Sequence, residues 1–302
     1  MNDTAMEELG QLFADHVRIV ERRFASALAA CGYESVLLYS GAAPPIFRDD
    51  NSYPFRVHAT FKVWVPLTDV PDSFVYMKPG EKPVLLLHQP EDYWYKPAET
   101  PRGYWTRHFD IRPVADLAAA RAALPADLAR TAFIGEAFAE VSQWNVGKVN
   151  PDDLLRELDY DRAAKTPYEL ACMRRANRIG ARGHSAAARA FAAGASEFEI
   201  QHEYLRACGM REQELPYNAI IAINEGAAVL HYQVLDRGRP AQRHSLLIDA
   251  GADFAGYASD ITRTYSHTDA DFAALVGGMD ELQQALCTSV HAGVDWRDVH
   301  LS

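Results

Sequence analysis

The segment that most constrains this chain reads Leu246-Leu-Ile-Asp249-Ala-Gly251-Ala-Asp253-Phe-Ala-Gly256-Tyr-Ala-Ser-Asp260-Ile-Thr-Arg-Thr264. An apolar run enters a turn containing Gly and Asp, and a Thr-rich alternating run leaves it, which is the pattern of a β-hairpin. Folding the stretch between the two aspartates about its midpoint sets Asp249 opposite Asp260. Opposed residues of an antiparallel pair share a face, with Cβ atoms roughly 5 Å apart. Two carboxylates at that distance repel unless a cation lies between them, and hard divalent cations take carboxylate oxygens. The competing reading is turn chemistry or solvation, and Asp253 fits it. Asp249, by contrast, ends the run Leu-Leu-Ile, which places it at the buried end of a core strand. Charged groups are rarely buried without a partner or a metal. Asp260 opens a strand in which Thr262 and Thr264 share its face, a polar wall suited to a cavity. The segment reads as half of a metal site carried on a rigid hairpin.

The chain has 302 residues, enough for two domains with substantial cores. Its formal net charge of −11 disfavours nucleic acid and anionic membrane as partners, because both need a basic footprint. No apolar run reaches the length of a membrane span, and the acidic, polar N-terminus is the reverse of a signal peptide. Cys31, Cys172, Cys208 and Cys287 are widely spaced and form no CxxC pair. They read as reduced, mostly buried thiols in a cytoplasmic protein.

Apolar periodicity predicts an amphipathic helix over residues 6–31, closed at Gly32. Strands are expected at 36–39, 63–65, 74–77, 84–88 and 132–134, and helices at 114–123 and 151–158. This alternation is that of an α/β or α+β domain over residues 1–160. A polar stretch at 159–166 carries the boundary to a second domain, 161–302. Thr166-Pro-Tyr-Glu169 is a full helix start, opening a helix that runs to about Ala193. Ser196-Glu-Phe-Glu199 is a second capping box, before a helix at 200–208. Strands are expected near 218–223, 229–235, 245–250 and 260–265, and a last helix over about 269–292. Arg174, Arg175, Arg178 and Arg182 on the long helix read as a solvated or subunit-facing surface.

Four segments carry a family resemblance: Lys165-Thr-Pro-Tyr-Glu-Leu170, Glu214-Leu-Pro-Tyr217-Asn218, Val229-Leu-His231-Tyr232, and Asp249-Ala-Gly251 with Ser259-Asp260-Ile-Thr-Arg263. With them the chain resembles the Xaa-Pro dipeptidases of the metallopeptidase group with the pita-bread fold. Asp49-Asp50-Asn51 with Tyr53-Pro54-Phe55, and Tyr93-Trp94, are similar to the bacterial branch that includes organophosphorus acid anhydrolases. The resemblance implies an N-terminal α/β domain joined to a pita-bread catalytic domain. It implies two divalent cations, typically manganese, sharing a bridging water or hydroxide. Asp249 would chelate one cation and Asp260 would bridge both. His231 would contact substrate and stabilise the oxyanion; without the resemblance, a lone His on an apolar strand reads as a satisfied core histidine. Tyr217 would line the pocket, its alternative being a buried core tyrosine. Asp50 and Trp94 would reach the neighbouring subunit's pocket in a homodimer, against the readings of turn Asp and surface aromatic.

The implied activity is hydrolysis of small Xaa-Pro peptides. Proline lacks an N–H and fixes φ, which blocks ordinary peptidases and calls for a dedicated pocket. The family's remaining ligands, a His and two Glu, have no counterpart among the last residues, Gly293 to Ser302. The expectation is therefore a chain that stops before them, binds metal weakly and turns over nothing. Rival readings are organophosphate triester hydrolysis at the same site, a creatinase-like C–N hydrolase, which works without the cluster, and a non-catalytic pita-bread binding module.

Overall fold

The structure is a computed structural model and describes residues 3–94, 96 and 99–302. By internal packing the chain divides into two units: Met1–Met173 with Ala255–Tyr257, and Arg174–Phe254 with Ala258–Ser302.

The first unit is built on a six-stranded mixed sheet. In chain order its elements are α1 (Asp3–Cys31), β1 (Ser35–Tyr39), α2 (Ala59–Trp64), β2 (Phe74–Met77), β3 (Val84–His88), β4 (Asp110–Val114), α3 (Leu117–Ala122), β5 (Thr131–Ile134), β6 (Lys148–Val149) and α4 (Asp152–Ala163). The strand order is β4-β3-β2-β1-β5-β6. β1 pairs antiparallel with β2 and parallel with β5. Ser35-Val-Leu-Leu-Tyr39 is buried along its whole length, as a continuous apolar run at the centre of a covered sheet should be. One face of the sheet packs Leu37, Tyr39, Phe74, Leu86 and Phe133 with Val141 and Trp144. The amphipathic stripe of α1 (Leu9, Phe13, Val17, Val20, Phe24, Leu28) is buried, and the helix closes at Gly32 with φ +79°, a left-handed position that glycine adopts without strain. His16 lies within that stripe and is fully buried. Its Nε2 donates to the Val63 carbonyl at 2.7 Å, and its Nδ1 accepts from the Thr166 hydroxyl at 2.8 Å.

Two expectations fail here. Residues 63–65 are not a strand; they belong to α2 and its cap. The buried set Thr60, Phe61, Val63 and Trp64 has helical spacing, and the His58 side chain caps the helix by accepting from Thr60 N–H. The helix expected from residue 114 starts later, because Asp110–Val114 is the edge strand β4.

The helix α5 (Pro167–Ala192) starts at the expected box: Thr166 N–H donates to Glu169 Oε2 at 2.7 Å, and Glu169 N–H donates to Thr166 Oγ1 at 3.3 Å. The second unit continues with α6 (Glu197–Cys208), β7 (Ile220–Ile223), β8 (Ser245–Asp249), β9 (Asp253–Phe254), β10 (Tyr257–Ala258), β11 (Thr262–Ser266), α7 (Ala270–Ser289) and α8 (Trp296–Leu301). The second capping box is present in both directions, Ser196 with Glu199. β7, β8 and β11 form an antiparallel sheet with β8 in the middle. Its inner face (Ile221, Ile223, Leu246, Ile248) packs on Ala187, Phe191, Ile200 and Tyr204 of the helices. Residues 229–235 are not a strand. They form an irregular loop after a 3-10 turn at Asn224–Ala228, with Val229, Leu230 and Val234 exposed. Arg174, Arg178 and Arg182 are exposed, while Arg175 stacks its guanidinium on the Phe254 ring at 5.0 Å. Of the cysteines, all free, Cys172 and Cys208 are buried, Cys31 is partly buried and Cys287 is exposed, so two of the four match the buried reading. Among the described residues no helix is long and apolar enough to cross a membrane.

Candidate metal centre

The hairpin forms, with a register one step away from the expected one. Asp249 stands opposite Thr262, not Asp260. The turn centres on Ala255 and Gly256, both with positive φ (54° and 84°), the conformation of a type I′ connection. Moving the centre by one residue moves each partner by two, so Asp260 stays on the face of Asp249, diagonal to it. The ladder is continuous through Ala250 N–H to Ile261 O (3.1 Å) and Ser259 N–H to Ala252 O (2.8 Å).

The burial of Asp249 also differs from expectation. β8 alternates, with Leu246 and Ile248 inward and Leu247 and Asp249 only half-buried; Asp260 is exposed. The pair therefore sits on the open face of the sheet. What joins the carboxylates is Tyr217: its hydroxyl lies 2.7 Å from Asp249 Oδ1 and 3.1 Å from Asp260 Oδ1. One phenolic proton serves two carboxylates, and among the described residues neither makes an ion pair with Lys or Arg. Burial, followed by the hydrogen bond and charge of Asp249, pushes the Tyr217 phenol far above its ordinary range, so the bridge is a neutral O–H donor. Gly251 lets the tyrosine in. A Cβ there would lie 2.1 Å from the Ser259 carbonyl oxygen and 2.8 Å from the Tyr217 ring.

Behind the hairpin, on α5, His184 is buried and its Nε2 donates to the Ala250 carbonyl at 2.9 Å. Burial holds its pKa below the ordinary imidazole value, so the ring is a neutral strut one residue past Asp249. The helix approaches the hairpin closely because Gly180 has no side chain: a Cβ there would lie 2.9 Å from Ser259 Oγ. Gly183 does the same toward α6, where a Cβ would lie 2.5 Å from the Tyr204 ring.

The sequence-predicted residues divide into two sets. Tyr217, Asp249 and Asp260 meet. His231 lies in the exposed loop that replaces the expected strand and makes no hydrogen bond among the described residues. Asp50 and Trp94 lie in exposed loops of the first unit. Asp50 Oδ1 accepts from the Asn51 side chain at 3.4 Å, and Trp94 N–H donates to Asp92 Oδ1 at 2.6 Å. One residue that shapes the site, His184, carried no sequence signal beyond helix periodicity.

Two carboxylates on one face of the hairpin, joined through one phenol, fit a hard divalent ion in donor type. In number they are two, and among the described residues no group of three or more His, Cys, Asp and Glu comes together.

Paired carboxylates on one face of a β-hairpin are the donor type of a metallohydrolase. Residues 171–302 match "Metallopeptidase family M24", and residues 11–160 match "Xaa-Pro dipeptidase, N-terminal domain". The chain is 42% identical to the Xaa-Pro dipeptidase of Shewanella amazonensis over 98% of its length and 68% of that protein's. It is 44% identical to Xaa-Pro dipeptidase 2 of Idiomarina loihiensis (96% and 67%) and 43% identical to the Stenotrophomonas maltophilia protein (98% and 66%). Among solved structures, Pseudomonas aeruginosa aminopeptidase PepP superposes with a TM-score of 0.71 at 21% identity, covering 94% of this chain and 70% of the other. Aminopeptidase P II from Yersinia pestis gives 0.61 at 20%, covering 83% and 63%. At such identity these two establish the pita-bread fold. The chain belongs to the Xaa-Pro dipeptidase family of the M24 metallopeptidases and is by lineage a metallo-dipeptidase. It spans about two thirds of the length of the curated relatives it matches.

Proposed function

We propose that Asp249 and Asp260 are oxygen ligands of a divalent metal site, manganese by preference, that serves the hydrolysis of Xaa-Pro dipeptides. The observation that carries the reading is the pair itself: two carboxylates on one face of a hairpin, sharing one neutral phenol and no basic side chain. Two like charges on one face repel, and a cation between them relieves that repulsion. When bound, divalent cations lower the pKa of a water and polarise a carbonyl. The chain's own residues do the rest. Tyr217 orients both carboxylates. His184 and Gly251 hold the hairpin in register. His231, on its exposed loop, is the substrate-facing donor. Asp50 and Trp94 serve a partner subunit's pocket in a cytoplasmic homodimer. A domain boundary at residues 160–161 is supported by family matches that end at 160 and resume at 171.

The test is titration calorimetry with Mn2+ on the unsubstituted chain and on Asp249→Asn and Asp260→Asn. Hydrolysis of Xaa-Pro dipeptides and of a phosphotriester by the protein is measured in parallel. Loss of Mn2+ uptake in both variants, with dipeptide cleavage in the parent, is the expected result. Equal uptake in all three proteins removes the site assignment; cleavage of the phosphotriester alone removes the substrate assignment.

A further inference from the structure

Glu197 is the first residue of α6 and is 4% exposed. It takes no part in the capping box, which uses Glu199, so its carboxylate is free for other donors. Oε1 accepts from Ile223 N–H at 2.9 Å. Oε2 accepts from Asp236 N–H at 2.8 Å and from the Tyr232 hydroxyl at 2.9 Å. Phe198 N–H returns a bond to Asp236 O at 3.1 Å, so the start of α6 grips the Asp236 peptide on both sides.

These three donors are not scattered. Ile223 ends β7, and Asp236 follows the loop that β7 leads into. Residues 224–235 are thus closed at both ends on one carboxylate. The residues just inside the clamp, Asn224 and Leu235, both have left-handed backbone (φ 55° and 51°). Asn tolerates that region; Leu does so at a cost, and such strain persists only where the surroundings impose it. The third donor, Tyr232, adjoins His231 directly. Burial and the facing carboxylate push its phenol up to about 12, so it stays a donor throughout the neutral range. The same loop borders a cleft of about 750 Å³ lined by Glu197, Asn224, Val229, Tyr232, Arg239 and His244.

We propose that Glu197 is the positioning residue of the substrate loop: its single buried carboxylate fixes both ends of residues 224–235 and the Tyr232 hydroxyl, and through them sets the placement of His231. The proposal rests on the reading of His231 as a substrate-facing group. A helix-start carboxylate that served stability alone would have no reason to gather the two ends and the Tyr232 hydroxyl of the one loop that carries that histidine.

Glu197→Gln keeps the shape but presents an amide NH2 in place of one carboxylate oxygen. The Tyr232 hydroxyl can turn to accept; a backbone N–H cannot, so at least one loop end loses its partner. Tyr232→Phe removes the tether beside His231 and leaves both ends clamped. The experiment measures amide hydrogen exchange over residues 220–249, and KM and kcat for an Xaa-Pro dipeptide, in the unsubstituted protein and both variants. Expected for Glu197→Gln is exchange faster by about tenfold at Ile223 or at Asp236, whichever N–H then faces the amide NH2, the size of one lost hydrogen bond, while residues 246–249 are unchanged. KM should rise with kcat held, the signature of lost positioning rather than a lost folded fraction. Tyr232→Phe should raise KM by less and leave exchange at Ile223 and Asp236 unaltered. The proposal is overturned if exchange at both amides is unchanged in Glu197→Gln, or if kcat falls in step with folded fraction at constant KM. Should Glu197→Gln not fold, Tyr232→Phe decides: an unchanged KM overturns the proposal and a raised KM upholds it. If the parent protein cleaves no Xaa-Pro dipeptide, the functional reading fails, and the exchange data alone judge the clamp.

Discussion

The two sheets use their polar residues differently. In the first unit, β1, β2 and β5 are buried along their whole length, and Ser35 of β1 is matched with Thr131 of β5 at 2.7 Å, as the buried His16 of α1 is with Thr166 and Val63. In the second, β8 is buried on one face only, β11 is largely open, and α7 has no buried residue at all. Leu275, Met279 and Leu282 of α7 are all more than half exposed. The open face is where two carboxylates share a single proton donor. A closed sheet holds its polar groups in pairs because leaving one unmatched costs roughly 1–3 kcal/mol; a face meant to receive a ligand leaves them for the ligand to satisfy.

The largest expected difference is in packing. Phe133→Ala, in the middle of the first sheet, should cost about 3–5 kcal/mol, because Phe133 is fully buried. Leu282→Ala on α7, where the side chain is 51% exposed, should fall within about 0.5 kcal/mol of zero. Urea unfolding of each variant checks this, and similar losses at both sites would break the contrast.

Next comes Gly251→Ala. The new Cβ meets backbone oxygen and the Tyr217 ring together, neither of which is the far end of a flexible chain. The cost should be about 3 kcal/mol, the upper part of the overpacking range, with Mn2+ uptake lost as Tyr217 is displaced. A variant as stable as the parent would show that the hairpin, and not the tyrosine, can yield.

Much of this was legible in the sequence because the signals were local. The run Val36-Leu-Leu-Tyr39, the two capping boxes and the Leu246-Leu-Ile248 strand each carry their own start, stop or period. The misses have non-local causes. Asp110-Ile-Arg-Pro-Val114 reads as no strand, yet an edge position tolerates Pro113, and Arg112 and Asp110 pair with each other at 2.6 Å. The hairpin centre was misplaced because Asp253 looks like the turn former, while the turn falls on Ala255 and Gly256. Residues 229–235 have strand composition, but in this structure no neighbouring strand pairs with them. Of the site, Asp249, Asp260 and Tyr217 were legible as types at a spacing. Glu197 and His184 were not, since their roles depend on burial and on partners 26 to 66 positions away.

A smaller effect is set by pH. Burial, the dominant cause, lowers the pKa of His16; Glu169 opposes this and Arg23 adds to it. The folded state then holds the ring neutral, and the unfolded chain takes up the proton first. Stability from this group is full above the ordinary histidine value near 6.5 and is lost as pH falls below it, at up to about 1.4 kcal/mol per pH unit. His58 and His184 are lowered in the same direction, so the slope must be taken as a difference. His16→Gln should be less stable than the parent at pH 7.5 and lose less on going to pH 5, as followed by thermal unfolding. Parallel curves would show that His16 takes up its proton as readily in the fold as in the unfolded chain, which its buried, matched hydrogen bonds do not allow.

The smallest effect is the most diagnostic, because its sign should reverse. Without metal, Asp249 and Asp260 repel across one phenol, so Asp260→Asn should raise stability, by about 0.5 kcal/mol for a partly solvated pair. With Mn2+ in excess the parent gains binding free energy, about 2.7 kcal/mol at a concentration of one hundred Kd, and the variant, lacking a ligand oxygen, gains less. The variant should therefore melt above the parent in chelator and below it in Mn2+. Added salt should shrink the first difference, since the repulsion is screened within about 10 Å at 0.1 M. A variant that melts below the parent in both conditions would mean that the Asp260 carboxylate is held by the fold for stability, and the open face would be no different in kind from the closed one.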